Sequence, residues 1–200
     1  MPRNPATGSS RRPSGRRLFF ALDFDAGFKS AVHSTARSLP VIAGRLMPPE
    51  NYHMTLRFLG QVAEHRVDQI VEAVTVPDIR PFSLHFGHIG IFGKHKVLFL
   101  EPDSVPEALT GLVASLNRDL RPLHQIVKPA ARAFRPHITL YRDCEFIDAM
   151  ESGLDLEVPV RNFYLMESRP IKSGVYYTPV ADWPLAKPSL KAQILGQHRA

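Results

Sequence analysis

Cysteine is almost absent from this 200-residue chain, where Cys144 stands alone. A single cysteine cannot close an internal disulfide, so a reducing cytoplasm is the expected setting. No apolar run approaches the roughly 18 residues that a membrane helix needs. The first residues lack the apolar core of a secretion signal. Metal-ligand patterns are missing too. His85-Phe86-Gly87-His88 comes nearest, but it has no second cysteine and no acidic partner near it in sequence. Neither a metal nor a cofactor is expected.

Acidic residues are missing from both ends. Residues 1–17 hold Arg3, Arg11, Arg12, Arg16 and Arg17, and residues 186–200 hold Lys187, Lys191 and Arg199, with no acid in either segment. The formal charge of +6 therefore comes from the ends, because the remaining body has 17 basic and 19 acidic residues. A near-neutral body argues against a broad electrostatic nucleic-acid binder and suits an enzyme that grips one phosphate locally. The start of the chain is rich in Pro, Ser, Gly and Arg and is expected to be disordered. Pro2, Pro5, Gly8, Pro13 and Gly15 would break any amphipathic targeting helix there. The expected organisation is a basic tail over 1–16, one domain over 17–185 and a C-terminal tail over 186–200, acting as a monomer.

From Arg17 the pattern changes. Leu18 to Leu22 forms an apolar run suited to a buried strand. A helix is expected over 26–38, capped by Asp25 and stopped near Pro40. Pro48-Pro49 marks a loop before a strand over 52–59, and a helix follows from Glu64 to Val74. Strands are expected over 82–92 and 96–101, around the turn at Gly93-Lys94. Leu109, Leu112, Val113 and Leu116 give helical spacing to 106–120. Further strands are expected over 136–141, 158–166 and 174–183. Strand, helix and motif strand occur in that order twice. Two related lobes facing one another would bring the motif strands to a shared cleft, and the mixture of elements points to an α+β fold.

Each motif strand carries His-x-Thr-Leu, as His53-Met54-Thr55-Leu56 and as His137-Ile138-Thr139-Leu140. Random placement of the chain's His, Thr and Leu residues would give roughly 0.03 such matches. Side chains alternate faces along a strand. His53 and Thr55 therefore share a face opposite Met54 and Leu56, and His137 and Thr139 share one opposite Ile138 and Leu140. The same parity puts Arg57 and Tyr141 on the polar faces as candidate cleft residues. Two imidazoles suit phosphodiester cleavage, one taking a proton from water and one giving a proton to the leaving oxygen. Threonine hydroxyls can donate to the non-bridging phosphate oxygens.

At these residues the chain resembles the two-histidine (2H) phosphoesterase superfamily. Within it, the chain is similar to the RNA 2′,3′-cyclic phosphodiesterases, also called 2′-5′ RNA ligases. Further likeness lies in Arg17–Leu22, in Pro48-Pro49-Glu50-Asn51 and Arg57-Phe58-Leu59-Gly60 around the first motif, and in Phe134-Arg135-Pro136 before the second. Met166–Arg169, Tyr177 and Trp183-Pro184-Leu185 resemble the closing strands. The resemblance implies a bilobal α+β fold, two antiparallel-rich sheets related by pseudo-twofold symmetry with outer helices and a central cleft. It also implies hydrolysis of a terminal 2′,3′-cyclic phosphate of RNA to a 2′-phosphomonoester. His53 would be the acid, His137 the base, and Thr55 and Thr139 the phosphate ligands. Arg142 stands where the family has an arginine. By ideal parity Arg142 faces away from His137, so either the strand bends there or Arg142 works from the rim. Tyr141 and Pro170 depart from the commoner family residues. Reversible 2′-5′ ligation, and a non-catalytic module that binds a nucleotide or RNA end, are the alternative readings.

Overall fold

The computed structural model describes residues 15–93, 96–130, 133–146, 155–172 and 174–185. Of the expected tails, residues 1–14 and 186–200 lie outside the described residues. The first strand, β1 (Gly15–Asp23), starts two residues before the expected domain boundary. Gly15 and Arg16 pair there with Ala63 and Val62, and Glu167 holds the Arg16 guanidinium at 2.7 Å. Leu18 to Leu22 is buried at every position. Leu18, Phe20 and Leu22 enter the main core. Phe19 and Ala21 join Met166 in a smaller cluster, with Tyr164 and Tyr177 packed on it. Each fully buried large apolar side chain contributes on the order of 1.5–3 kcal/mol.

Helix α1 (Ala26–Ser38) has the expected bounds. Asp25 Oδ1 accepts from the Phe28 N–H at 2.8 Å, and Pro40 cannot continue the ladder. Strand β2 (Val41–Leu46) was not legible in the sequence. Its period-two pattern is interrupted at Gly44, which has φ of +139°. A Cβ at Gly44 would stand 2.7 Å from Cys144 Cα, so the close approach requires glycine. A 3-10 turn over Pro49–Asn51 leads into β3 (His53–Ala63). The helix expected over 64–74 is a 3-10 turn, Glu64–Arg66, followed by the short α2 (Val67–Ala73).

Strands β4 (Phe82–Phe92) and β5 (Val97–Pro102) form the expected pair. Helix α3 (Glu107–Leu120) buries Leu109, Leu112, Val113, Leu116 and Leu120. Strand β6 (Ile138–Phe146) follows and runs past the expected end at 141. The single strand expected over 158–166 is two, β7 (Leu156–Val160) and β8 (Asn162–Ile171). They join opposite halves of the sheet, so the chain breaks at Arg161. Strand β9 (Gly174–Pro184) closes the fold.

The strands pair antiparallel in the order β7-β4-β5-β6-β3-β1-β8-β9, with β2 added on β6. The centre of this path is a single register pair, Met54 opposite Ile138. On one side the motif strand β6 is followed by β5, β4 and β7, and on the other β3 is followed by β1, β8 and β9. This is the expected α+β, pseudo-twofold plan, with its two antiparallel halves hydrogen-bonded into one curled sheet where they meet. Helix α1 packs on β6 and β7, while α3 contacts β3. Each helix therefore crosses to the half opposite its own preceding strand, and both halves share one core.

Candidate active site

His53 is the first residue of β3, and burial then alternates, with Met54 and Leu56 inside and Thr55 on the histidine's face. His137 stands one residue ahead of β6, with Ile138 and Leu140 buried and Thr139 between them half-buried. Continuing the Met54–Ile138 register by one residue each way sets His53 across from Thr139 and Thr55 across from His137. The junction of the halves thus brings both His-Thr pairs to one face.

The two rings are held in the same way. His53 Nδ1 lies 2.7 Å from the Asn51 carbonyl oxygen, and His137 Nδ1 lies 2.8 Å from that of Arg135. A carbonyl can only accept, so each Nδ1 carries the hydrogen and each Nε2 is left for chemistry. Among the described residues neither Nε2 makes a hydrogen bond. Asn51 also donates from Nδ2 to the Val175 carbonyl, tying the His53 side to β9. The His53 ring packs on Phe19 at 5.1 Å and edge-on to Tyr177 at 4.7 Å. The His137 ring packs edge-on to Phe99 at 5.5 Å and Phe92 at 5.2 Å. A Cβ at Gly90 would stand 2.4 Å from the Phe99 ring, so this floor depends on a bare backbone beneath it.

Arg57 and Tyr141 are not on the histidine face, and this corrects the parity expectation. Thr55 pairs with Ala21 but Arg57 pairs with Phe20, which leaves Leu56 as one extra residue. Thr139 pairs with Phe99 but Tyr141 pairs with Leu98, which leaves Leu140 extra in the same way. A bulge of this kind exchanges the faces of the side chains that follow it, on β3 as far as the next shift at Leu59. Arg57 Nη2 donates to the Lys128 carbonyl, and its buried Nε has no hydrogen-bond partner among the described residues. Tyr141 donates to the Ala36 carbonyl of α1 at 3.2 Å. Phe58 and Arg142 return to the cleft side instead. Phe58 is 55% exposed, with its ring 5.6 Å from Phe19. For Arg142, of the two possibilities left open, the strand bends, with Asp143 next to it at φ of +53°.

Electrically the two sites differ. Burial pushes the His53 imidazole down to about 4, opposed by its Asn51 hydrogen bond and the Asp23 carboxylate and helped by Lys29 and His137. Asp23 is the register partner of His53, and Lys29 Nζ reaches it from α1 at 2.5 Å. The His137 pKa is also lowered, first by burial and then by the Arg135 and Arg142 guanidinium groups, against its Arg135 carbonyl bond and Glu101. Arg135 lies over Phe99 at 4.8 Å and pairs with Glu101 at 3.0 Å. Sequence reading missed Asp23, Lys29, Phe19, Phe92 and Phe99 as site neighbours, because only pairing between distant strands puts them there.

His85 and His88 face different carboxylates, Glu157 at 3.7 Å and Asp103 at 3.6 Å. Among the described residues no three His, Cys, Asp or Glu side chains gather as a metal site. No helix of the described residues is long and apolar enough to cross a membrane. Two surface hollows, one lined by Arg16, His65 and Asp68 and the other by Gln61, Arg66 and Gln125, have neither His53 nor His137 in their walls.

Residues 24–99 match the model of a family described as LigT-like phosphoesterases. The chain is 29% identical over 177 residues to an RNA 2′,3′-cyclic phosphodiesterase of Escherichia coli, covering 86% of this chain and 98% of the relative. It is 30% identical over 134 residues to an RNA 2′,3′-cyclic phosphodiesterase of Methanothermobacter thermautotrophicus, covering 63% of this chain and 70% of the relative. The crystal structure of E. coli LigT complexed with 3′-AMP superposes with a TM-score of 0.77 at 28% identity, covering 86% of this chain and 99% of that one.

Proposed function

The chain belongs to the LigT-like phosphoesterases of the two-histidine superfamily and is a hydrolase; on that premise we propose that it opens the 2′,3′-cyclic phosphate end of RNA to a 2′-phosphomonoester by metal-independent acid–base catalysis. The observation that carries this reading is the pair of Nδ1-to-carbonyl hydrogen bonds. They fix both rings in one tautomer and leave two Nε2 atoms to exchange protons with the same phosphate.

In the proposed step, His137 Nε2 takes a proton from water as its oxygen bonds to phosphorus. The bond from phosphorus to the 3′-oxygen breaks, and His53 Nε2–H protonates that oxygen. Thr55 and Thr139 donate to the non-bridging oxygens, where charge gathers. Arg142 supplies positive charge nearby, and the terminal base rests on exposed Phe58. The roles of the histidines draw support from their neighbours. Asp23 favours an imidazolium at His53, and two guanidinium groups favour a neutral ring at His137. Burial of His53 works against its acid role, and an anionic phosphate beside the ring works for it. The proposed setting is a monomer in the cytoplasm.

The decisive assay is incubation with a short RNA ending in a 2′,3′-cyclic phosphate under excess chelator. The expected product carries a 2′-phosphate. A 3′-phosphate product, or activity lost to chelator and restored by Zn²⁺, overturns the mechanism.

A further inference from the structure

Arg45 and Arg142 are direct register partners on β2 and β6, and both are exposed. Like charges directly opposite on neighbouring strands destabilise a sheet. Of the other Lys and Arg side chains that shift the two histidines, Arg135 has Glu101 and Lys29 has Asp23. Lys96, whose carbonyl accepts from the Cys144 N–H further along β6, has Glu145. Among the described residues neither Arg45 nor Arg142 has such an ion pair. We propose that Arg45, with Arg142 beside it, binds the phosphodiester immediately 5′ of the terminal nucleotide, so that the protein reads an RNA end and not only a cyclic nucleotide.

This rests on the proposed activity and deepens it. A cyclic phosphate caps the 3′ end, so the rest of an RNA can leave the site only in the 5′ direction. The first anion it meets is the adjoining phosphodiester. Arg142 follows His137 by five residues, roughly 15 Å of strand or somewhat less across the bend. It is still near enough to lower the His137 pKa. Arg45 lies one strand further out. Its Nη1 would be 3.6 Å from a Cβ at Gly174, so it stands against the start of β9. An anion between the two guanidinium groups would relieve their repulsion. Arg side chains suit phosphate by geometry as well as charge.

The test compares two substrates, 2′,3′-cyclic AMP and the dinucleotide ApA ending in a 2′,3′-cyclic phosphate. The wild-type protein should show a lower KM for the dinucleotide. In Arg45→Gln that advantage should shrink about tenfold, the size of one charge-assisted contact. Its salt dependence should also weaken by about one counterion. Arg45→Lys, which retains the charge, should keep part of the advantage. An advantage unchanged in Arg45→Gln overturns the proposal. So does an equal rise in KM for both substrates, which would put Arg45 on the terminal phosphate. Failure of the wild-type protein to open either substrate would instead sink the activity itself.

Discussion

His53 packs against both Phe19 and Tyr177, gives its Nδ1 hydrogen to the carbonyl two residues back, and has the Asp23–Lys29 pair beside it. Around His137, Phe99 and Phe92 take the places of the rings and the Arg135 carbonyl takes the hydrogen, but the nearby charges include two guanidinium groups. Even the bulge recurs, at Leu56 in one half and Leu140 in the other. The two halves thus share a backbone device and differ in electrostatics. Repetition supplies two equivalent ring positions, and divergence of their neighbours gives the rings different electrostatic settings.

The most severe way to break this comparison is to remove one ring. His53→Ala and His137→Ala should each lower turnover by about 10² or more. The double variant should be little worse than the weaker single one, because the pair acts as a unit. Near-wild-type turnover in either folded variant would show that only one half is chemical. The comparison is sharpened by a substrate whose 3′ leaving group has a low pKa. His53→Ala should regain much of its rate there and His137→Ala should not; the reverse pattern exchanges acid and base.

Smaller changes address the charges. Asp23→Asn should lower the His53 pKa, and Arg142→Gln should raise that of His137, each by roughly half to one unit. One limb of the kcat/KM profile against pH should move down in the first variant, and the other limb should move up in the second. Movement of the same limb in both would mean that the two settings are not separate. A further readout of the His53 setting is acid stability. Because folding lowers the His53 pKa from its usual 6.5 to about 4, the unfolded chain takes up the proton first. The wild-type Tm should therefore fall as pH drops from about 6.5 towards 4, losing this contribution in that window. His53→Gln should flatten the fall. A Tm curve identical to that of the wild type would locate the acid sensitivity elsewhere.

Much of the fold is local in origin and could be read residue by residue. The Asp25 cap and Pro40 bound α1, apolar spacing marks α3, and alternation marks β4. The unread parts depend on distant partners. Gly44 looks like a strand breaker until Cys144 lies against it. Arg161 looks like one more residue of a single strand until its two sides join different halves.

The same division runs through the site. By itself the sequence determined the two His-Thr pairs and the face each presents, because period-two alternation is fixed by strand backbone geometry over three residues. Tertiary structure alone decided what lies beyond Thr55 and Thr139. Bulges depend on how neighbouring strands pair, and each one turns Arg57 or Tyr141 towards a carbonyl behind the sheet while returning Phe58 or Arg142 to the cleft. It also decided the charge around each imidazole, since Asp23 reaches His53, and Arg45 reaches Arg142, only through strands paired across long stretches of chain.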